Sequence, residues 1–232
     1  MSGMAREVVR TARFVEEAAQ LILHQARVAL AERNQFRLAL SGGNTPRPVY
    51  AEVARIGHDL PWERVRITFG DERCVPPDDE QSNYRMARES LLLPAAVPDK
   101  SVARMRGEID PQLAAQEYEE QLDVLAAQAG EYIYRHDLVL LGMGDDGHTA
   151  SLFPGTAGLE EPVRRVVANF VPKFGAWRLT MTLPLINQAR HVCFLVNAGK
   201  QPELVERVLA DGDEFPAQRV KPASGELTWI LG

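Results

Sequence analysis

Three short apolar runs, each stopping at a polar loop that contains glycine, constrain this chain more than any other feature. Residues 36–40 give way to Ser41-Gly42-Gly43-Asn44-Thr45-Pro46, residues 65–69 to Gly70-Asp71-Glu72-Arg73, and residues 137–141 to Gly142-Met143-Gly144-Asp145-Asp146-Gly147-His148. Between them lie stretches of helical period. Over residues 11–32 the apolar side chains Phe14, Ala18, Leu21, Ile22, Val28 and Leu30 recur without an interrupting proline or glycine, which predicts a long helix. A further helix begins after Pro46 and runs through Tyr50 and Val53. More strands are expected at residues 163–168, 190–196 and 227–231, and more helices at 83–92, 111–129, 183–188 and 201–210. Alternation of this kind predicts an α/β fold: an open, mainly parallel sheet flanked by helices on both faces. In such sheets ligands sit beyond the carboxyl ends of the strands, so the three loops are expected to meet at one crevice.

No low-complexity tract, linker or repeat divides residues 1–232, and one domain is expected. A net charge of −6 argues against a nucleic-acid partner, whose phosphates require clustered lysine and arginine. The two cysteines, Cys74 and Cys193, lie far apart and have neither zinc-ligand spacing nor a disulfide framework. Residues 1–13 carry charge and no apolar run of signal-peptide length. No segment approaches the ~20 apolar residues that span a bilayer. A cytoplasmic protein without a membrane partner is expected.

The first loop sets two glycines and two hydroxyl side chains between a strand and a helix start, so backbone N–H groups and the helix dipole face an anion there. The same residues also suit an ordinary strand-to-helix turn in which Ser or Thr caps the helix. The Lys-Ser/Thr pair of a nucleotide P-loop is absent, which favours a small phosphorylated metabolite over ATP. In the second loop Arg73 offers planar donors to a carbonyl or oxyanion beside the carboxylates of Asp71 and Glu72. A surface ion-pair cluster followed by a helix capped at Ser82 or Asn83 is the alternative.

The third loop is richest. His148 follows Asp146 by two positions, a spacing that lets the carboxylate hold one ring nitrogen while the other takes a proton from water near neutral pH. Asp-Asp-Gly resembles part of a calcium loop, but the alternating acidic ligands and terminal glutamate are missing, and no metal is expected. Arg178 and Lys200 are candidates to neutralise a phosphate dianion. His136 and His191, outside any glycine-opened loop, read as structural.

Taken together, SGGNTP at 41–46, GDERCVP at 70–76, SNYRM at 82–86, GMGDDGHTASLFP at 142–154 and RLTMT at 178–182 resemble the 6-phosphogluconolactonase family. The resemblance runs through most of the chain in order. It implies a modified Rossmann sheet of the kind shared with glucosamine-6-phosphate deaminases and ribose-5-phosphate isomerases. It also implies hydrolysis of 6-phospho-D-glucono-1,5-lactone without a cofactor. By that resemblance Ser41, Gly42, Gly43 and Thr45, with Arg178 and Lys200, hold the phosphate. His148 is the general base with Asp146 as its partner, and Asp71 and Arg73 line the lactone end. Lys173 is left without a role. Where the sibling deaminases carry an acidic residue five positions after the histidine, this chain has Phe153. The expected partner is a small phosphorylated sugar lactone, and the expected state a monomer or weak homo-oligomer. The rivals are a sugar-phosphate isomerase or deaminase with Asp71 as base, a sugar-phosphate sensor, and a serine hydrolase using Ser41 or Ser151.

Overall fold

Phe36–Leu40, Leu138–Leu141 and His191–Val196 are buried at every residue, a pattern that only an interior strand covered on both faces satisfies. The computed structural model describes residues 6–232, apart from the side chain of Lys200. In chain order the first elements are β1 (Arg6–Arg10), α1 (Phe14–Arg33), β2 (Phe36–Leu40), α2 (Pro46–Ile56), β3 (Val65–Phe69), β4 (Asp71–Arg73) and α3 (Asn83–Ala87). They are followed by α4 (Pro111–Gln128), β5 (Leu138–Leu141), β6 (Val166–Val171), β7 (Ala176–Met181), α5 (Leu183–Ile186), β8 (His191–Val196), α6 (Pro202–Leu209) and β9 (Glu226–Leu231).

Six strands form a sheet in the order β1-β9-β8-β5-β2-β3, and every neighbouring pair is parallel. Alternate strand residues serve opposite faces. Leu38, Leu40, Leu138 and Leu140 pack with Ala18, Ile22 and Leu23 of α1 and with Val49, Tyr50 and Val53 of α2. On the other face Ala39, Val139, Leu141 and Phe194 meet Ala115, Tyr118 and Leu122 of α4 and Val205 of α6. Helices therefore cover both faces of a mainly parallel sheet, as the alternation predicts.

A second, antiparallel sheet in the order β4-β7-β6 was not foreseen. Its β6 begins three residues later than the expected strand at 163–168. Its β7 occupies a segment read from sequence only as the approach to a helix. Strand β1 was likewise missed: its five residues read REVVR and are mostly exposed, as befits an edge strand with one neighbour. The helix expected over 83–92 is α3 continued by a π-helical turn at Arg88–Leu92.

The topology places a crevice. Helix α2 leaves β2 on one face, whereas the chain leaving β5 passes through the second sheet and α5 on the other. Strands β2 and β5 are neighbours, so the connections part between their carboxyl ends, where open α/β sheets bind ligands.

Candidate active site

The loops after β2, β3 and β5 do meet there. Ser41, Gly42, Gly43, Asn44 and Thr45, together with Asp71 and Arg73 and with Gly142, Gly144 and His148, line one cavity of about 240 Å³.

Loop one is fixed by its own helix. The Tyr50 hydroxyl, one turn into α2, accepts from the Ser41 N–H at 2.9 Å and donates to the Ser41 carbonyl at 2.8 Å. Burial raises the Tyr50 hydroxyl pKa, so it stays a neutral donor. Gly43 adopts a φ of +94°, which a side chain disfavours. Thr45 precedes α2, yet its side chain makes no cap bond. Capping therefore does not account for its hydroxyl, and it lines the cavity instead.

Loop two is a short strand. Asp71 is buried, and its Oδ2 accepts from Ser151 at 2.7 Å while Oδ1 accepts from the Asn83 amide at 3.1 Å. Glu72 is structural. Its oxygens accept from the N–H groups of Arg73, Asn83 and Tyr84 and from the Ser82 hydroxyl, tying β4 to the start of α3. Burial raises the Glu72 carboxyl against those bonds. Ser82, one of the two cap residues of the alternative reading of this loop, caps α3 by accepting from the Arg85 N–H. Arg73 donates to the Gln81 carbonyl and lines the cavity.

Loop three delivers the imidazole. His148 Nδ1 lies 2.6 Å from Asp146 Oδ1, which also accepts from the His148 N–H at 3.1 Å. The second ring nitrogen is left for other work. The opposite oxygen, Asp146 Oδ2, accepts from Lys173 Nζ at 3.2 Å. Partial burial works to raise the Asp146 carboxyl, but the bonds to His148 and Lys173 outweigh it and hold the group below its usual value. Phe153 stacks on the imidazole, with centroids 3.9 Å apart and planes inclined by 22°.

Of the expected phosphate ligands, Arg178 stands elsewhere. Arg178 faces Arg73 across the β4–β7 pair, its guanidinium over the Phe174 ring at 5.5 Å, and it is not among the cavity-lining residues. Burial, then the neighbouring Arg73, lowers its pKa. The Lys200 side chain lies outside the described residues. Its backbone belongs to a 3₁₀ turn at Ala198–Lys200, between the cavity-lining residues Asn197 and Gln201.

Sequence reasoning gave no site role to Asn83, Asn197 and Gln201, which line the cavity, nor to Phe153 and Lys173. A polar residue directly after a buried strand was the signal available for Asn197. For Lys173 there was none. Among the described residues, Asp145, Asp146 and His148 are the group whose metal-ligand atoms lie within 4.8 Å of one another, with Lys173 bound to both carboxylates. Ser151 bonds to Asp71 and not to His148, unlike the serine of a hydrolase triad.

The comparisons agree with one another. A 6-phosphogluconolactonase from Synechocystis sp. is 43% identical over 221 residues, covering 94% of this chain and 90% of the relative. One from Nostoc sp. is 37% identical with the same coverage. The crystal structure of a 6-phosphogluconolactonase from Thermotoga maritima superposes with a TM-score of 0.86 at 26% identity, over 98% of this chain and 100% of that one. That of Trypanosoma cruzi gives 0.86 at 30% identity, over 99% and 95%. With the model of the glucosamine-6-phosphate isomerases/6-phosphogluconolactonase family matching residues 10–229, the chain belongs to that family.

Proposed function

We propose that this chain hydrolyses 6-phospho-D-glucono-1,5-lactone to 6-phospho-D-gluconate, with His148 as general base, in the oxidative pentose-phosphate pathway. Within a family that also holds isomerases, the relatives that match over nearly their whole length carry the name 6-phosphogluconolactonase. The observation that carries the mechanism is the His148–Asp146 contact at 2.6 Å, in the wall of the cavity that Ser41–Thr45 also line.

With Nδ1 directed at Asp146, Nε2 accepts a proton from water as its oxygen bonds to the lactone carbonyl carbon. Negative charge collects on the former carbonyl oxygen, where Arg73 or backbone N–H groups stabilise it. The tetrahedral adduct then collapses. The bond from that carbon to the ring oxygen breaks, and the imidazolium returns its proton to the departing oxygen. Ser41, Gly42, Gly43 and Thr45 hold the phosphate, so binding energy remote from the reacting carbon aligns the lactone with the base. An aldose–ketose isomerase would instead need a free carboxylate to move a carbon-bound proton. The Asp71 oxygens are engaged by Ser151 and Asn83.

The test is acid release from freshly generated 6-phosphogluconolactone, measured against its spontaneous opening. His148→Ala is expected to lower kcat by about 10²–10⁴-fold with KM little changed. Undiminished turnover in that variant would remove His148 from the chemistry. Wild-type protein that leaves the spontaneous rate unchanged would remove the activity itself.

A further inference from the structure

We propose that Lys173 is a positioning residue for the hydrolysis: it fixes Asp146, and through Asp146 the imidazole of His148. The assignment rests on His148 being the base.

Lys173 sits at the tip of the β6–β7 hairpin, in the 3₁₀ turn Pro172–Phe174. That turn is closed by Gly175, whose φ is +58° and whose N–H donates to the Pro172 carbonyl at 3.1 Å. From it the ammonium donates to Asp145 Oδ1 at 2.6 Å and to Asp146 Oδ2 at 3.2 Å. The Asp146 carboxylate is therefore held from both sides, with Oδ1 on the imidazole and its backbone N–H and Oδ2 on the lysine. A carboxylate bonded at one oxygen alone keeps torsional freedom about its side-chain bonds; a second bond from another element removes it. The same turn also supports the ring. Phe174 meets Phe153 edge-on, with centroids 5.6 Å apart, and Phe153 stacks on His148. One hairpin tip thus braces the histidine through its carboxylate and through its stacking partner.

Lys173 is not among the residues that line the cavity, so it acts through Asp146 and does not touch the substrate. Its ion pairs are largely exposed. Such pairs contribute little to global stability, whereas a small misplacement of a catalytic group is costly to rate, about 10²-fold for 1 Å. The residue should therefore matter for turnover far more than for folding.

The experiment compares Lys173→Met and Lys173→Arg in the full chain, with 6-phosphogluconolactone and with unphosphorylated gluconolactone as substrates. Lys173→Met is expected to lower kcat on the phosphorylated lactone about tenfold or more, with KM within twofold and the melting temperature unchanged. The loss in kcat/KM should be the same factor for both lactones. Lys173→Arg should recover most of the rate, and Lys173→Met should add nothing in an Asp146→Asn background. Wild-type kcat in Lys173→Met overturns the proposal. So does a raised KM confined to the phosphorylated lactone, which would make Lys173 a phosphate ligand. If His148→Ala is inactive while Lys173→Met is unimpaired, only the positioning role fails. If His148→Ala is itself active, the base assignment fails first.

Discussion

Gly144 has no side chain because the imidazole of His148 occupies the space one would fill: an added Cβ would lie 1.9 Å from the ring Cε1. Ring atoms cannot yield at that distance without rotating away from Asp146, and the Gly144 N–H is already committed to the His148 carbonyl at 2.9 Å. Gly144→Ala should therefore preserve the fold and lower kcat/KM by about 10²-fold, the scale of a 1 Å displacement of the proposed base. Steady-state rates beside a far-ultraviolet spectrum check this, and wild-type activity in the variant would show that the ring need not pack there. The glycines and His148 were legible in the sequence because local chemistry distinguishes them: backbone freedom in one case, a proton acceptor beside a carboxylate in the other. Lys173 and Asn83 were not. Their meaning comes from partners on other segments, such as Asp146 for Lys173 and Asp71 for Asn83, and no local spacing encodes those pairs.

At the scale of elements, the strands that carry the site are tied together below it by a buried histidine. His136, two residues before β5, is fully buried and faces Thr68 of β3 across 2.9 Å through Nε2, while Nδ1 has no partner among the described residues. Burial, assisted by Arg37, pushes its pKa down to about 3. The sign of the pH dependence follows. Between that value and the ordinary value of 6.5 the unfolded chain binds a proton that the folded chain refuses, so stability is lost as pH falls through the window. The slope from this residue is at most about 1.4 kcal/mol per pH unit. Urea unfolding from pH 7 to pH 4 should show wild type losing stability relative to His136→Gln as pH falls; parallel curves would mean that His136 takes up its proton as readily in the folded chain as in the unfolded one. The interior strands and long helices were legible because their burial pattern is uniform and their period repeats. Strand β1 was hidden by its charged ends, and β4 by its length of three residues. Strand β7 was hidden because AWRLTM contains two polar side chains and gains its place only by pairing with β4 and β6.

Over the whole molecule, the cavity is assembled from parts that have no contact along the chain. Loop one rests on α2, loop three is braced by the second sheet, and the Asp71–Ser151 bond joins β4 to the segment after loop three. A ligand that touches all three loops binds only the folded arrangement, and it therefore stabilises the fold by mass action. At a concentration 100 times its dissociation constant the gain is about 2.7 kcal/mol. For a chain of this length that corresponds to roughly 5–10 °C in melting temperature. The product, 6-phosphogluconate, should produce such a shift. Gluconate at the same concentration should produce little if the glycine loop is the proposed phosphate anchor, because gluconate lacks the anionic group that N–H donors and a helix end would hold. Equal shifts from the two compounds would mean that the sugar acid supplies the affinity and that loop one does not hold the phosphate. A shift that persists undiminished in Thr45→Val would remove only that hydroxyl from the anchor. Because this measurement involves no turnover, it tests the anchor independently of the base, and the two halves of the proposed site can fail separately.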